Sequence, residues 1–284
     1  MRTIEQTLRG GIEALAERSA SPELDAEVLL STVLGMTRAA LIVRGAEPVA
    51  AELEKAYREL LEQRVEGMPV AYLTGRREFW SLPLKITPAV LVPRHETELL
   101  VEHALRLLPR SEDRSVLDLG TGSGAVALAI ASERPRARMT GVDVSPAALG
   151  VARDNSRSLA FTNVSWRLGS WFDAVPGERF DMVVANPPYV ADGDPALSIL
   201  AAEPALALEG GPLGLDALET IVARAPSHLV PRGWLLLEHG STQHEAVARL
   251  LERHGFGDVR SELDYSGLPR VTLGSLPSSH RGLS

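Results

Sequence analysis

The chain has 284 residues, of which 45% are hydrophobic, and a formal net charge of −8. This composition predicts a globular protein with one large domain and one small one. The acidic charge argues against tight, sequence-independent binding to nucleic acid, which depends on Lys and Arg side chains that neutralise phosphates. Without cysteine, and with seven histidines that show no ligand spacing, the chain has no predicted metal site.

The first part of the chain does not resemble a targeting segment. Residues 1–20 mix the acidic side chains Glu5, Glu13 and Glu17 with the basic side chains Arg2, Arg9 and Arg18. No apolar stretch approaches the length that spans a membrane. We therefore expect a cytoplasmic protein with no membrane partner.

Apolar residues recur at helical spacing from Thr3 to about Val65, which predicts a small bundle of helices. Ser21 followed by Pro22 predicts a capped helix start, and Gly35 predicts the end of the same helix. None of the side chains in this stretch suggests chemistry. The bundle is therefore predicted to recognise a substrate protein or to cover the active site.

Domain boundaries follow from the point where the helical pattern ends. Residues 77–86, which come after it, alternate like a β-hairpin. The chain is accordingly predicted to divide into a helical substrate-recognition domain over residues 1–74, a hairpin linker over 75–87 and an α/β domain over 88–284.

Beyond Ser111, strand patterns alternate with helix patterns, which predicts a doubly wound α/β domain with a parallel sheet. The candidate strands are Ser115–Leu119, Met139–Val142, Val164–Leu168, Met182–Ala185, Trp234–Leu237, Asp258–Arg260 and Val271–Leu273. The polar stretch from Ser275 to Ser284 is predicted to be a frayed tail.

The first of these strands leads into a glycine-rich loop that consists of Gly120, Thr121, Gly122, Ser123 and Gly124. Such a loop lets a ligand approach the backbone, and Asp143, which ends the second strand, stands where this fold holds a ribose diol. A dinucleotide and S-adenosylmethionine both fit this arrangement. The loop has one residue between its last two glycines, where the dinucleotide fingerprint has two, and the preceding Asp118 suits a cationic ligand, so S-adenosylmethionine is favoured.

Trp171 follows the third strand, at the carboxyl edge of the sheet where ligands bind in such folds. Its ring could stack on or flank an adenine. A tryptophan that simply packs in the core explains the composition equally well.

Residues 180–189 form an apolar run that ends in Asn186, Pro187, Pro188 and Tyr189. The prolines lack backbone donors and stop the ladder, while a residue before proline is held in an extended conformation. The Asn186 side-chain oxygen and a proline carbonyl could then accept both hydrogens of one planar NH2 group, with the Tyr189 ring over its face. A turn that merely ends a strand is the alternative.

Taken together, the chain resembles the bacterial peptide release factor glutamine N5-methyltransferases, the PrmC or HemK family, across nearly its whole length. The resemblance is carried by residues 24–27, 69–75, 77–80, 93–94 and 96–98, the glycine loop at 120–124, the Asn-Pro-Pro-Tyr turn at 186–189, and residues 203–204, 237–240 and 270–274. The loop and the turn are shared with adenine and cytosine amino-methyltransferases, whereas the hairpin and the helical part are more particular to this family.

The resemblance implies a seven-stranded, Rossmann-like class I methyltransferase domain whose last strand is antiparallel, preceded by the small helical bundle. It implies that Gly120–Gly124, Asp143, Trp171 and Asn186 contact S-adenosylmethionine. It also implies that Asn186, Pro187, Pro188 and Tyr189 hold the substrate glutamine, with Asn186, Pro187 and Tyr189 in catalytic roles.

By the same resemblance, the reaction is methylation of the glutamine in the Gly-Gly-Gln motif of class I release factors. Independently of the resemblance, we expect a monomer, and the acidic charge predicts no stable nucleic-acid partner. The chain departs from the family pattern at three positions: His95 replaces a usual proline, Ser170 an acid and Ala201 an arginine. An amino-methyltransferase acting on a nucleic-acid base or a ribosomal-protein glutamine remains an alternative, as does a binding module without chemistry.

Overall fold

The computed structural model describes residues 1–278. Within it the chain divides between Arg76 and Arg77 into two compact units, one helical and one of mixed helices and strands. Among these residues, no helix is long and apolar enough to cross a membrane.

The helical unit contains five helices: α1 (Ile4–Leu15), α2 (Pro22–Leu34), α3 (Arg38–Val43), α4 (Ala51–Val65) and α5 (Val70–Thr74). Their apolar faces enclose a core that includes Leu15, Leu29 and Tyr57. Each helix contributes at least one apolar side chain to this core.

The helix ends differ in part from the expectation. Pro22 begins α2 and Gly35 ends it with a φ of 62°, but the Ser21 hydroxyl makes no capping bond to the helix backbone. A reciprocal capping box occurs instead at Thr3 and Gln6, which starts α1.

The predicted hairpin forms from β1 (Arg76–Phe79) and β2 (Leu82–Lys85), which pair only with each other. Phe79 is buried, and the Trp80 backbone N–H donates to Glu98 Oε1 at 2.9 Å. The Lys85 N–H donates to Asn155 Oδ1 at 2.7 Å. These bonds hold the hairpin against α6 and α8 of the second unit, in which Glu98 and Asn155 lie.

Seven strands form the main sheet: β3 (Ser115–Leu119), β4 (Arg138–Asp143), β5 (Val164–Leu168), β6 (Phe180–Ala185), β7 (Leu229–Glu238), β8 (Gly257–Leu263) and β9 (Pro269–Ser275). Their order across the sheet is β5-β4-β3-β6-β7-β9-β8. The first five run parallel, and β9 lies antiparallel between β7 and β8. This is the seven-stranded, Rossmann-like arrangement that the resemblance implies.

Helices α6 (Thr97–Leu107), α7 (Ala125–Glu133), α8 (Pro146–Ser158), α9 (Pro195–Ile199), α10 (Asp216–His228) and α11 (His244–Arg253) complete the unit. The buried residues of β3, β6 and β7 are almost entirely apolar, because parallel strands have both faces covered. The predicted tail is wrong at its start, since Ser275 belongs to β9 and Leu276 is buried. The rest of that prediction, from Ser279, lies outside the described residues.

Candidate active site

The carboxyl ends of β3, β4 and β6 lie side by side in the sheet, and the loops that follow them surround a cavity of about 360 Å³. Eight of the eleven residues predicted to contact the methyl donor or the substrate line it: Gly120, Thr121, Gly122, Ser123, Asp143, Trp171, Asn186 and Pro188. Gly124, Pro187 and Tyr189 are not among its lining residues. The structure therefore brings together the glycine loop, the acid and the first part of the turn.

The glycine loop is fixed by hydrogen bonds from its own backbone. The N–H groups of Gly120 and Thr121 both donate to the Val142 carbonyl at 2.9 Å. The Gly122 N–H donates to Asp143 Oδ2 at 2.8 Å, and the Ser145 N–H donates to Oδ1 at 2.9 Å. A carboxylate oxygen accepts more than one hydrogen bond, so Asp143 keeps acceptor capacity for a ligand in the cavity that it lines.

Gly120 and Gly124 serve different ends. A Cβ added at Gly120 would lie 3.4 Å from the Trp171 ring and 4.0 Å from the Asn186 carbonyl oxygen. A Cβ at Gly124 would lie 2.7 Å from the Trp166 ring, at a φ of 82°. Gly120 thus leaves space free beside Trp171 and Asn186 in the cavity. Gly124 lets the start of α7 pack closely against Trp166.

Asp118 is buried at the end of β3 and also lines the cavity. Its Oδ2 accepts a 2.6 Å hydrogen bond from the Thr121 hydroxyl. Burial raises the pKa of Asp118 to about 7, although the Thr121 bond and the Ala127 N–H act to lower it. A cationic ligand would favour the ionised carboxylate, because an opposite charge nearby stabilises the charged form.

Trp171 begins a 3-10 turn (Trp171–Ala174) that follows β5. Its ring is half-buried on the cavity wall, while the next residue, Phe172, is completely buried in the core. Trp171 also packs against the core cluster that contains Phe172, so both roles that the sequence left open for it are compatible with its position. Ser170, where an acid is usual in the family, also lines the cavity.

Asn186 is the first residue after β6, and it is half-buried. Its Nδ2 donates a 3.1 Å hydrogen bond to the Thr97 hydroxyl on α6. Pro187 is buried. The Tyr189 hydroxyl donates to Glu238 Oε1 at 3.4 Å, and burial raises the pKa of Tyr189 above its usual range.

The backbone after Asn186 is held by partners that the sequence did not reveal. Gln243 Nε2 donates to the Tyr189 carbonyl at 3.1 Å. A Cβ at Gly210 would lie 2.8 Å from the Pro188 carbonyl oxygen, and one at Gly214 would lie 2.2 Å from that of Tyr189. Both glycines are therefore required for the close packing of this turn.

The sequence pointed to Glu203 only through the family resemblance and did not reveal its contacts beside the cavity. Glu203 Oε2 accepts a 2.9 Å hydrogen bond from the Val92 N–H, and Oε1 pairs with the Arg94 guanidinium. Pro93 and Pro204, which flank this pair in the chain, line the cavity. The ion pair thus joins two distant segments of the cavity wall.

The cavity fits S-adenosylmethionine on its own geometry. Its volume lies within the usual range for small-molecule sites. A buried carboxyl at Asp118 suits a cationic ligand, and a half-buried carboxylate at Asp143 with spare acceptor capacity suits a diol. The described residues contain no group of three or more side chains able to hold a metal.

Comparisons with known proteins agree with this geometry. Residues 6–75 match the PrmC N-terminal domain family, and residues 95–213 match the Methyltransferase small domain family. A solved structure of a T. thermophilus 16S rRNA N2 G1207 methyltransferase in complex with AdoMet and guanosine has a TM-score of 0.55 and 22% identity. That match covers 71% of this chain and 49% of the other, and it shows the shared fold.

Curated relatives are far more similar. The release factor glutamine methyltransferase of Xylella fastidiosa (strain Temecula1) is 48% identical over 89% of this chain and 93% of its own length. That of Salmonella typhimurium is 46% identical over 90% of this chain and 93% of its own length. The chain is therefore an S-adenosylmethionine-dependent methyltransferase and belongs to the family of release factor glutamine methyltransferases.

Proposed function

We propose that this protein methylates the side-chain amide nitrogen, N5, of the glutamine in the Gly-Gly-Gln motif of class I peptide release factors. The observation that carries the proposal is that Asn186 and Pro188 line the same cavity as the glycine loop and Asp143. A flat amide received by the turn would therefore lie beside the methyl donor. Membership of the family supports the same substrate.

An amide nitrogen is a poor nucleophile because its lone pair is delocalised into the carbonyl, so the site must correct its geometry. In the proposed complex the Asn186 Oδ1 and the Pro187 carbonyl each accept one N–H of the substrate amide. These bonds aim the nitrogen and stabilise the positive charge that develops on it, at about 2.7–4 kcal/mol per group by analogy with oxyanion holes. The Tyr189 ring covers the flat face of the amide.

S-adenosylmethionine supplies an electrophilic methyl group when bound. In the proposed site, the backbone of Gly120–Gly124 allows its close approach, Asp143 accepts hydrogen bonds from its ribose, and Trp171 flanks its adenine. The Asp118 carboxylate attracts the cationic methionine end of this ligand. A methylated amide nitrogen is strongly acidic before it loses its proton, so water suffices as the base.

We further propose that residues 1–74 recognise the release factor, that the hairpin at 75–87 links this part to the catalytic domain at 88–284, and that the enzyme acts as a monomer. So short a motif offers little contact area, and specificity then requires contacts elsewhere. The helical residues have a core of their own and match the PrmC N-terminal domain family. The net charge of −8 supports a protein partner over stable nucleic acid.

The proposal is tested by incubating the purified protein with labelled S-adenosylmethionine and a full-length release factor, followed by mass spectrometry. We expect one added CH2 group on the motif glutamine. A release factor with glutamate at that position should remain unlabelled. Label in RNA, DNA or a ribosomal protein, with the release factor untouched, would contradict the proposal.

A further inference from the structure

A long connection joins β6 to α10, over residues 186–215, and forms part of the cavity wall. It contains only two short helical turns, α9 and a 3-10 turn (Ala205–Ala207). Connections of more than about 15 residues with so little secondary structure are uncommon and usually functional. The part that follows the Asn-Pro-Pro-Tyr turn, residues 190–213, is called the rim segment. Its length calls for a role beyond linking a strand to a helix.

The rim segment is held by hydrogen bonds where it leaves and returns to the sheet, and again between these points. The Val190 N–H donates to the Leu208 carbonyl at 2.9 Å, and the Gly210 N–H donates to the Val190 carbonyl at 2.8 Å. Between them, buried Glu203 accepts from the Val92 N–H at 2.9 Å and pairs with the Arg94 guanidinium. The surface of the segment is therefore formed before a partner binds, which lowers the cost of binding.

Three large apolar side chains of the rim segment face water. Ile199, Leu206 and Leu213 are 79%, 65% and 72% exposed, and Leu206 also lines the cavity. Exposed apolar side chains that stand singly are normal on a protein surface, whereas a group of them marks a contact face. The distribution of such side chains over the α/β unit therefore decides how these three are interpreted.

The other exposed large apolar side chains of the α/β unit all lie at the edge where the parallel strands end. Among the described residues they are Val144, Leu168, Leu263, Tyr265 and Leu268. Val144 follows β4, Leu168 ends β5, and the last three lie at or within the turn from β8 to β9. The opposite edge has none among the residues that the structure describes. This unit therefore exposes its apolar surface at the edge that holds the cavity.

The charged side chains of the rim segment are all acidic. It contains no Lys, Arg or His, and its acidic residues are Asp192, Asp194, Glu203 and Glu209. Arg94 pairs with Glu203, whereas the other three carboxylates are exposed. An acidic surface repels phosphates and attracts Lys and Arg side chains. The chemistry of the segment therefore fits a polypeptide with apolar and basic side chains, and not a nucleic acid.

We propose that the rim segment is a docking surface for the release factor, and that it receives a stretch of apolar and basic side chains close to the glutamine that is methylated. The segment directly follows Tyr189, and Leu206 makes its surface continuous with the cavity. A glutamine held by the turn therefore brings its neighbours in the release factor within reach of this surface. The inference rests on the proposed function, which places the glutamine at that turn.

The first experiment measures KM and kcat for a full-length release factor with the variants Ile199→Ser and Leu213→Ser. Removing one apolar side chain that is buried on docking weakens binding roughly tenfold, so we expect KM to rise roughly tenfold in each variant. Neither side chain lines the cavity, so calorimetric affinity for S-adenosylmethionine should not change. A merely structural effect of either substitution would lower both affinities together.

The matched control is Leu263→Ser. It removes an exposed leucine from β8, the outermost strand at the same edge of the sheet, and should leave KM at the parent value. An equal rise of KM in this control would show that any loss of apolar surface at this edge weakens binding, and it would contradict docking at the rim segment.

The negative charge is tested with Asp192→Asn. At low ionic strength we expect KM to rise severalfold, and at high salt the difference from the parent protein should vanish, because screening removes the attraction. The control is Glu252→Gln, at an exposed position of α11, which should leave KM unchanged at both salt concentrations. A KM for Asp192→Asn equal to that of the parent protein at low salt would contradict a basic partner.

A third readout does not depend on activity. A photoreactive amino acid in place of Ile199 should cross-link the enzyme to the release factor close to the motif glutamine, and one in place of Leu263 should not. Unchanged KM in both rim variants, or cross-links only between two copies of this chain, would overturn the inference. A release factor that cross-links at position 199 but stays unmethylated would contradict the proposed function and leave the docking surface supported.

Discussion

The Gly122 N–H donates a 2.8 Å hydrogen bond to Asp143 Oδ2, which ties the loop after β3 to the end of β4. One carboxylate therefore shapes the glycine loop and also lines the cavity. Two parts of the site that lie far apart in sequence depend on the same side chain.

Asp143→Ala is expected to weaken binding of S-adenosylmethionine roughly tenfold to a hundredfold, because a hydrogen bond to a charged group contributes about 1.5–3 kcal/mol. Calorimetric titration measures this affinity. Asp143→Asn, which keeps one acceptor oxygen, should lose less. Unchanged affinity in Asp143→Ala, or tight binding of NAD by the parent protein, would argue against this site for the methyl donor.

Asn186→Ala is expected to slow methyl transfer roughly a hundredfold or more, because it removes an acceptor that acts in the transition state. Affinity for S-adenosylmethionine should change much less. Single-turnover kinetics with a full-length release factor separates the two effects. Transfer close to the parent rate would show that the turn does not receive the amide.

Gly124→Ala is expected to destabilise the protein, by about 1–3 kcal/mol for overpacking against Trp166 in addition to the strain of a positive φ. Gly177→Ala is the matched control, since Gly177 has a φ of 73° and open space where a Cβ would lie. Urea unfolding of both variants isolates the packing contribution. Equal losses would mean that backbone strain alone requires glycine at position 124.

The buried carboxyls predict how stability depends on pH. Burial raises the pKa of both Asp118 and Glu238 to about 7 in the folded protein. Between the ordinary carboxyl range and about pH 7, the folded state therefore binds more protons than the unfolded state. The contribution of these two carboxyls to the free energy of unfolding consequently falls as pH rises through that window, whereas buried His239, whose pKa burial lowers to about 4, contributes in the opposite direction.

Asp118→Asn should reduce this fall, so the variant gains stability relative to the parent protein as pH rises. It should also bind S-adenosylmethionine more weakly, since a charge that suits a cation is lost. Urea unfolding at a series of pH values measures the first effect, with the exposed Asp192→Asn as control. Parallel curves for the parent protein and Asp118→Asn would show that this carboxyl does not titrate as inferred.

Recognition of the release factor by the helical residues is tested at an exposed apolar pair. Ile42 and Val43 at the end of α3 are 76% and 85% exposed, and exposed apolar side chains mark candidate protein contacts. Replacing both by Ser should raise KM for full-length release factor severalfold while leaving methylation of a short motif peptide unchanged. Leu24→Ser serves as a control in the same unit. Equal KM values for the parent protein and the double variant would exclude Ile42 and Val43 as contacts with the release factor.

Much of the fold could be predicted because its signals are local. Each of the seven predicted strands lies within an observed one. The central strands β3 and β6 are distinct apolar runs, because both faces of the sheet are covered there. The start of β7 was missed because α10 runs into it directly at Leu229, and Pro231 and Gly233 interrupt the strand pattern.

In the candidate site, too, only the features with a local sequence signal could be predicted. The glycine loop and the Asn-Pro-Pro-Tyr turn could be found because they are contiguous in sequence. The contact between Thr97 and Asn186 could not, since the two residues lie 89 positions apart. The contacts of Glu203 with Arg94 and of Glu238 with Tyr189 likewise depend on neighbours that only folding brings together.

The position of β9 has a consequence for the open edges of the sheet. This strand follows β8 in the chain but lies between β7 and β8. Until β9 is in place, β8 therefore has no strand to pair with, and β7 keeps an open edge of unpaired backbone groups. A chain that lacked residues 269–275 would leave that edge of β7 open to pairing with other chains, so β9 closes an edge at which the protein could otherwise aggregate.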